Sequence, residues 1–478
     1  MAIAVLDRLL HVGSERLDTG RWLEVRSPYS GDLVGRVASG GASEARAAVD
    51  AAAAAIRDPL PAHVRAAILE RVRDELRARA DDVAAVLSSE AGKPIRAARL
   101  EVERAQTTFT AAAVAARTLT GEAVPMDASA AGEGKLAFTL RVPVGVVAAI
   151  TPFNFPLNLV AHKLAPALAA GCAVVLKPAE KTPLSAFSLA DAFDAAGLPP
   201  GWLNVVAGDP IAIGDVLVDD ERVRLITFTG SGGVGWGIRE RAPRKRVLLE
   251  LGNATPAIVR ADADLDLAAE KLSASAFLFA GQACVSVQRI YVERPVLDGF
   301  LERFLPRVEA LRTGDPADEA TDVGPVIDAN SRERILSWID AARAAGARVL
   351  AGGDATEDGV VRPTVIADAG PELDVSCREV FGPVCTVNAV DSLDEALRLA
   401  NGTPYGLQAG VFTRDLGAAL RAARELEFGA VTINETPSFR ADPMPYGGVK
   451  ESGNTREGPE AAVREMTEER LVVLSLGA

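Results

Sequence analysis

Residues 144–183 read VGVVAAITPFNFPLNLVAHKLAPALAAGCAVVLKPAEKTP, and the texture of this stretch decides the fold class. Two short runs, Val144–Ile150 and Ala173–Lys177, are almost wholly apolar, as strands buried on both faces are. Between them, Leu157–Ala170 fits a helix. The alternation continues downstream. Strands are expected at Leu203–Val206, Leu225–Thr229 and Val247–Leu251, with helices at Leu184–Ala196, Ile211–Val218 and Val234–Arg241. Apolar strands recurring every 25 to 30 residues or so mark βαβ units and a parallel sheet. Such a sheet binds its ligands beyond the carboxyl ends of its strands.

Upstream, Pro61 opens AHVRAAILERVRDELRARADDVAAVLSSEAGK, where Val64, Ile68, Val72 and Leu76 recur at helical spacing up to Gly92. A second helix is expected over Glu101–Leu119, and Lys135–Val142 reads as a strand. Farther downstream the α/β texture returns. Leu265–Ala280, Val296–Leu311 and Ser392–Asn401 read as helices; Arg289–Glu293, Val384–Ala389 and Ala430–Ile433 read as strands. In a chain of 478 residues, this is better met by a second α/β domain than by one oversized sheet.

Composition narrows the function. Apolar residues make up 49% and charged residues 24%, enough apolar side chain for a large core. The net charge of −14, with no basic stripe, argues against a nucleic-acid partner. Cys172, Cys284, Cys377 and Cys385 form no CxxC pair, and the only histidines are His11, His63 and His162, so neither a disulfide scaffold nor a metal centre is expected. The longest apolar runs fall well short of the roughly 20 residues of a membrane span. The opening MAIAVLDRLLHVGSERLD is interrupted by Asp7 and Arg8 and does not read as a signal peptide. A cytoplasmic protein is expected.

Three features carry chemistry. Gly230-Ser231-Gly232-Gly233-Val234-Gly235 follows a strand and opens a helix, which suits a pyrophosphate, although glycine turns are common. Under a plain dinucleotide fingerprint, Glu250 would be the acid that binds a ribose. Alternatively, lying between Leu249 and Leu251, its carboxyl is desolvated and suited to general-base work. Cys284, in FLFAGQACVSVQR, reads as a nucleophile or, taken alone, as a small buried core residue.

Order joins these features. The 151–186 segment beginning TPFNFP, FTGS (228–231), LLELGNATP (248–256), GQAC (281–284), EVFGPV (379–384) and MPYGGVKESG (444–453) follow one another along the chain. Together they resemble the NAD(P)-dependent aldehyde dehydrogenase superfamily over nearly the whole length. The resemblance implies an α/β fold with a Rossmann-type coenzyme domain (1–123 and 142–250) and a second α/β catalytic domain (251–431). It also implies a returning segment (432–468) and a small β oligomerisation arm (124–141 and 469–478). The strand at Lys135–Val142 and the terminal RLVVLSLGA resemble that arm, implying a homodimer or homotetramer.

By the same resemblance, Cys284 is the nucleophile, forming a thiohemiacetal and then a thioester. Asn154 is the oxyanion donor beside the Cys284 backbone N–H, and Glu250 is the base that activates hydrolytic water, displacing the ribose reading. Lys163 matches a proton-relay lysine and Glu460 an accessory acid. Lys177 and Glu180 match the pair at the adenosine ribose, which implies NAD over NADP, with NADP accepted by some proteins that share the motif. Gly230, Ser231 and Val234 match the pyrophosphate site. Glu379 and Phe381 match the nicotinamide-ribose site, with Thr151, Pro152, Phe153 and Leu251 beside it. One departure stands out: Asn253 follows Gly252 where the family commonly has a second glycine.

A substrate tunnel is expected opposite the cofactor, with candidates Phe153, Leu157, Arg104, Phe109, Ala283, Val285, Phe439 and Arg440. Arg440 reads as a clamp for an anionic head group or as an ordinary loop arginine. The loop most resembles the branch with lactaldehyde, succinic semialdehyde and non-phosphorylating glyceraldehyde-3-phosphate dehydrogenases, implying a small, anionic aldehyde. Competing readings are a redox-independent cysteine esterase or thioesterase and a family member without turnover.

Overall fold

The computed structural model describes residues 5–476. Residues 1–4 of the opening stretch and residues 477–478 of the terminal one lie outside the described residues. Two seven-stranded sheets organise the chain. The first runs, in spatial order, Arg246–Glu250, Val223–Thr229, Val146–Ile150, Ala173–Lys177, Leu203–Val205, Leu10–Val12, Glu15–Leu17. Its first five strands are parallel, and Leu10–Val12 joins antiparallel. Val146–Ile150 and Ala173–Lys177 are buried at every position, as their unbroken apolar texture requires.

The second sheet runs Arg348–Ala351, Thr364–Ala367, Val384–Val390, Val287–Glu293, Thr255–Val259, Gln408–Phe412, Ala430–Ile433, parallel except at its first strand. Each sheet has its own buried apolar cluster. Thr467–Ser475 pairs along Lys135–Pro143 to form a small antiparallel sheet with Ala123–Val124. Among the described residues no helix is long and apolar enough to cross a membrane.

Several elements differ from the sequence expectation. The first quarter also contains strands: Leu6–Arg8, Trp22–Arg26 and Leu33–Ala38 form a three-stranded sheet. The run after Pro61 is two helices, Ala62–Ala78 and Ala80–Ala91, broken at Arg79, whose φ of −115° leaves the helical region. The expected 101–119 helix begins earlier, at Ile95, because Pro94 occupies its N-cap. The expected 265–280 helix stops at Phe277, where Phe279 and Ala280 turn left-handed at φ 50° and 52°. Cys172 and Cys385 are buried, whereas Cys377 is only half-buried at the end of a single turn.

Candidate active site

Strand register assembles the site. Ile150 lies opposite both Phe228 and Lys177, and Thr229 lies opposite Glu250, so four parallel strands end on one edge. The chain leaves that edge through Thr151–Asn154, Pro178–Glu180, Gly230–Ser231 and Leu251–Asn253. Connections from the two central strands diverge to opposite sides, which opens a crevice there. Gly230 N–H donates to the Glu250 carbonyl at 3.1 Å, and Ser231 is the N-cap of the helix Gly232–Arg241. The Ser231 hydroxyl caps nothing, and the Cβ positions of Gly232 and Gly233 face open space. First-turn N–H groups without a side-chain acceptor are the donors an anion needs.

One cavity occupies this crevice, walled by Pro152, Phe153, Asn154, Gly230, Ser231, Glu250, Leu251, Glu379, Phe381 and Cys284 among others. Phe153 meets Phe381 edge to face, with ring centroids 5.6 Å apart. Glu379 accepts the Asn253 backbone N–H at 3.0 Å, and burial pushes its carboxyl up to about 7. Gly252 permits this approach, since a Cβ there would lie 2.4 Å from Glu379 Oε2. The Asn253 amide donates to Thr255 Oγ1 at 2.8 Å and to the Gln408 carbonyl at 3.2 Å, so the departure from a second glycine is absorbed into the second sheet. Lys177 bonds Glu180 next to the crevice, and Thr151 is buried beneath it with its N–H on the Lys177 carbonyl. Val234 is exposed on the first helical turn and is not part of this cavity wall.

A second cavity lies on the other side of Cys284, which walls both together with Leu159. The Cys284 sulfur lies 3.0 Å from the Tyr446 hydroxyl; burial pushes the thiol up to about 12. Glu250 is 3% exposed with neither carboxylate oxygen hydrogen-bonded. Burial, reinforced by the charge of Glu457, raises its pKa well above the usual carboxylate range. Asn154 donates through Nδ2 to the Gln282 carbonyl at 2.9 Å, while its Oδ1 has no partner. Lys163 Nζ bonds Thr227 Oγ1 at 2.9 Å and Glu457 Oε1 at 3.1 Å, and Arg440 bonds Glu457 Oε2 at 3.1 Å.

Some of the residues expected at the tunnel line the second cavity. Ala283, Val285, Arg104 and Arg440 wall it, with Phe155, Leu100, Leu278 and Phe279 supplying apolar surface. Four expectations are corrected. Phe153 faces the crevice instead. Leu157 is fully buried in the first core, because its backbone N–H is anchored on Glu101 at 3.0 Å. Phe109 is likewise a core residue, edge to face with Phe193. Phe439 is 47% exposed and outside the cavity wall. Both arginines already hold carboxylates: Arg104 grips Asp442 through two nitrogens, at 3.2 and 3.0 Å.

Glu460 is a further correction. It is exposed and pairs with Arg464 at 3.6 Å, whereas the buried acid is Glu457. The signal was local: Gly458 at φ 107° and Pro459 start a helix, which turns the next residue to solvent. Lys93 was also missed. Its Nζ donates to the Asn154 carbonyl at 2.8 Å, pairs with Glu101, and lies 3.8 and 4.4 Å from the centres of the Phe155 and Phe279 rings.

Comparison with known proteins places the chain in a family. The aldehyde dehydrogenase family profile matches residues 16–472. The chain is 44% identical over 468 residues to a 3-sulfolactaldehyde dehydrogenase of Priestia aryabhattai, covering 98% of each. Aldehyde dehydrogenase 21 of Physcomitrella patens, solved with its reaction product succinate, superposes with a TM-score of 0.96 at 38% identity over 99% of both chains. An NADP-dependent glyceraldehyde-3-phosphate dehydrogenase of Bacillus halodurans, solved with NADP, gives 0.96 at 36% identity, covering 99% of this chain and 100% of that one. The chain therefore belongs to the aldehyde dehydrogenase family.

Proposed function

We propose that the protein oxidises a small, anionic aldehyde to its carboxylic acid through a thioester on Cys284, with NAD or NADP as hydride acceptor. The carrying observation is that Cys284 walls both cavities, with the desolvated Glu250 in the crevice on one side. The crevice suits a dinucleotide: uncapped N–H groups beyond Ser231, open space over Gly232 and Gly233, and Glu180 paired with Lys177. In this reading 1–123 and 142–250 form the coenzyme unit and 251–431 the catalytic unit, with 432–468 returning to the former. When bound there, the dinucleotide supplies an acceptor for hydride. Glu180 favours NAD, because a 2′-phosphate would set like charges together, and NADP is the weaker alternative.

The remaining work belongs to this chain. The Cys284 sulfur adds to the aldehyde carbon, splitting one hard oxidation into two easier steps. Asn154 Nδ2 and the Cys284 N–H hold the developing oxyanion. Glu250 takes the proton of the water that opens the thioester, and its raised pKa makes its carboxylate a strong enough base. Glu457 holds Lys163, the relay lysine of this reading, in place. Arg104, a quarter exposed at the second cavity, meets the anionic head group, and Arg440 supports it. The sulfolactaldehyde and succinate named for two relatives support an anionic substrate.

The same reading gives a homo-oligomer. Leu136, Leu140 and Leu474 on one face of the small antiparallel sheet, and Leu471 and Val473 on the other, are all more than 40% exposed, apolar surface suited to a second copy. A monomeric mass by light scattering at micromolar concentration would remove that part. The main test is an aldehyde panel followed by reduced-nicotinamide absorbance with NAD and NADP in parallel. Preference for succinic semialdehyde over a neutral aldehyde of equal length is expected, and Arg104→Met abolishes it. Ester cleavage independent of dinucleotide, without aldehyde oxidation, would favour the hydrolase alternative.

A further inference from the structure

Tyr446 is 3% exposed, and its hydroxyl stands 3.0 Å from the Cys284 sulfur. Among the described residues it is the one side chain hydrogen-bonded to that sulfur. The charged and titratable groups acting on the sulfur from neighbouring elements are Glu379 and Glu250, which oppose a thiolate, and Arg440, which favours one. Arg440 acts on Tyr446 as well: its guanidinium lies 3.9 Å from the centre of the phenol ring. The charge of Arg440 works against the burial that raises the phenol's pKa, and so favours donation by its O–H. Backbone bridging of Tyr446 to Glu457, whose side chain holds Arg440, fixes phenol and guanidinium on one scaffold.

We propose that Tyr446 is a further catalytic residue, whose O–H donates to the Cys284 sulfur and stabilises it as the thiolate. The proposal rests on the reading of Cys284 as the nucleophile. While the sulfur is protonated, either atom can donate; once it is ionised, only the phenol can, and a hydrogen bond to an anion is the stronger one. In the step itself the S–H bond breaks and its proton passes to cavity water, while the phenol O–H bond stays intact. A sulfur lone pair then forms the C–S bond as the carbonyl π pair moves onto oxygen. Burial and two carboxylates make the thiolate unfavourable here, and the phenol beside Arg440 is the built counterweight.

The test is the pH dependence of iodoacetamide alkylation at Cys284, followed by peptide mass in the full-length protein, for wild type and Tyr446→Phe. Loss of the hydroxyl is expected to raise the midpoint by about one pH unit and to slow alkylation at pH 7 about tenfold. Ring packing against Val285 and Leu407 is retained in this variant. Profiles that superpose, or a midpoint that falls, overturn the proposal. If the variant does not fold, 3-fluorotyrosine at 446, a more acidic phenol of nearly the same shape, must lower the midpoint, and no change there also overturns it. Cys284→Ala separates the two readings: dinucleotide-dependent oxidation surviving in it sinks the nucleophile assignment, whatever Tyr446→Phe does.

Discussion

Lys163 Nζ donates to Glu457 Oε1 over 3.1 Å inside the protein, and Arg440 takes the other oxygen of the same carboxylate at 3.1 Å. Burial opposes the charged form of Glu457, but Lys163 and Arg440 outweigh it and hold the carboxyl down at about 2. Glu457→Gln strands two buried cations, a loss of about 3–5 kcal/mol by comparison with other broken buried pairs. The sign with pH follows from the lowered value. The stabilisation is complete above the unfolded pKa of 4.5 and disappears as pH falls toward 2. Urea midpoints of wild type and variant should therefore converge across that acid window.

Glu250 shows the opposite shift, raised first by burial and then by the charge of Glu457. Glu250→Gln should keep one turnover of reduced nicotinamide and lose steady-state oxidation by about 10²- to 10⁴-fold, since in the proposed mechanism only thioester hydrolysis needs the base. In wild type the rate climbs with pH through the raised Glu250 value. In Glu457→Gln the repulsion is gone and Lys163 and Arg440 act on Glu250 more fully, so that limb moves to lower pH. A limb that stays in place in stopped-flow hydrolysis would separate Glu457 from Glu250.

The first sheet was legible because its strands are buried on both faces and read as unbroken apolar runs, as Val146–Ile150 does. The second sheet was only partly so. Thr255–Val259 contains a proline, and Gln408–Phe412 opens on a buried glutamine and includes a glycine, so neither resembles an apolar strand. Cys284, Glu250 and Asn154 were singled out by their motifs, and all three wall the crevice. Glu457, Lys93 and Tyr446 were not, because their importance lies in contacts across the chain: 294 residues separate Lys163 from Glu457, and 162 separate Cys284 from Tyr446. Phe109 and Leu157 failed for the reverse reason, since helical position alone does not say which face meets the cavity.

Phe109 provides a direct check on that distinction. It is fully buried against Phe193, so Phe109→Ala should cost about 3–5 kcal/mol in urea unfolding while leaving the aldehyde KM unchanged. Phe439→Ala, at an exposed position, should change neither. A raised KM in Phe109→Ala at full folding would return the residue to the tunnel wall.

Gly252 tests the crevice without touching a charge. A Cβ there falls 2.4 Å from Glu379 Oε2, so Gly252→Ala displaces the Glu379 carboxylate from the Asn253 N–H. The variant should raise the KM for NAD about tenfold, the equivalent of one charge-assisted hydrogen bond of about 1.5 kcal/mol. Iodoacetamide reactivity of Cys284 should not fall, since moving an anion away from the sulfur favours the thiolate. Unchanged affinity for NAD would show that Glu379 does not meet the dinucleotide.

Asn154 sits where three constraints converge. Lys93 holds its backbone carbonyl at 2.8 Å, its Nδ2 reaches the Gln282 carbonyl two residues before Cys284, and its Oδ1 is free of protein partners. An amide held this way keeps one Nδ2 hydrogen available for the oxyanion of the proposed mechanism. Asn154→Ala should lower kcat by about 10²- to 10³-fold, or about 2.7–4 kcal/mol of transition-state stabilisation. Alkylation of Cys284 develops no oxyanion, so its rate should match wild type. Alkylation and oxidation falling together would mean that Asn154 orders the cysteine loop through Gln282, and that the oxyanion is held by another group.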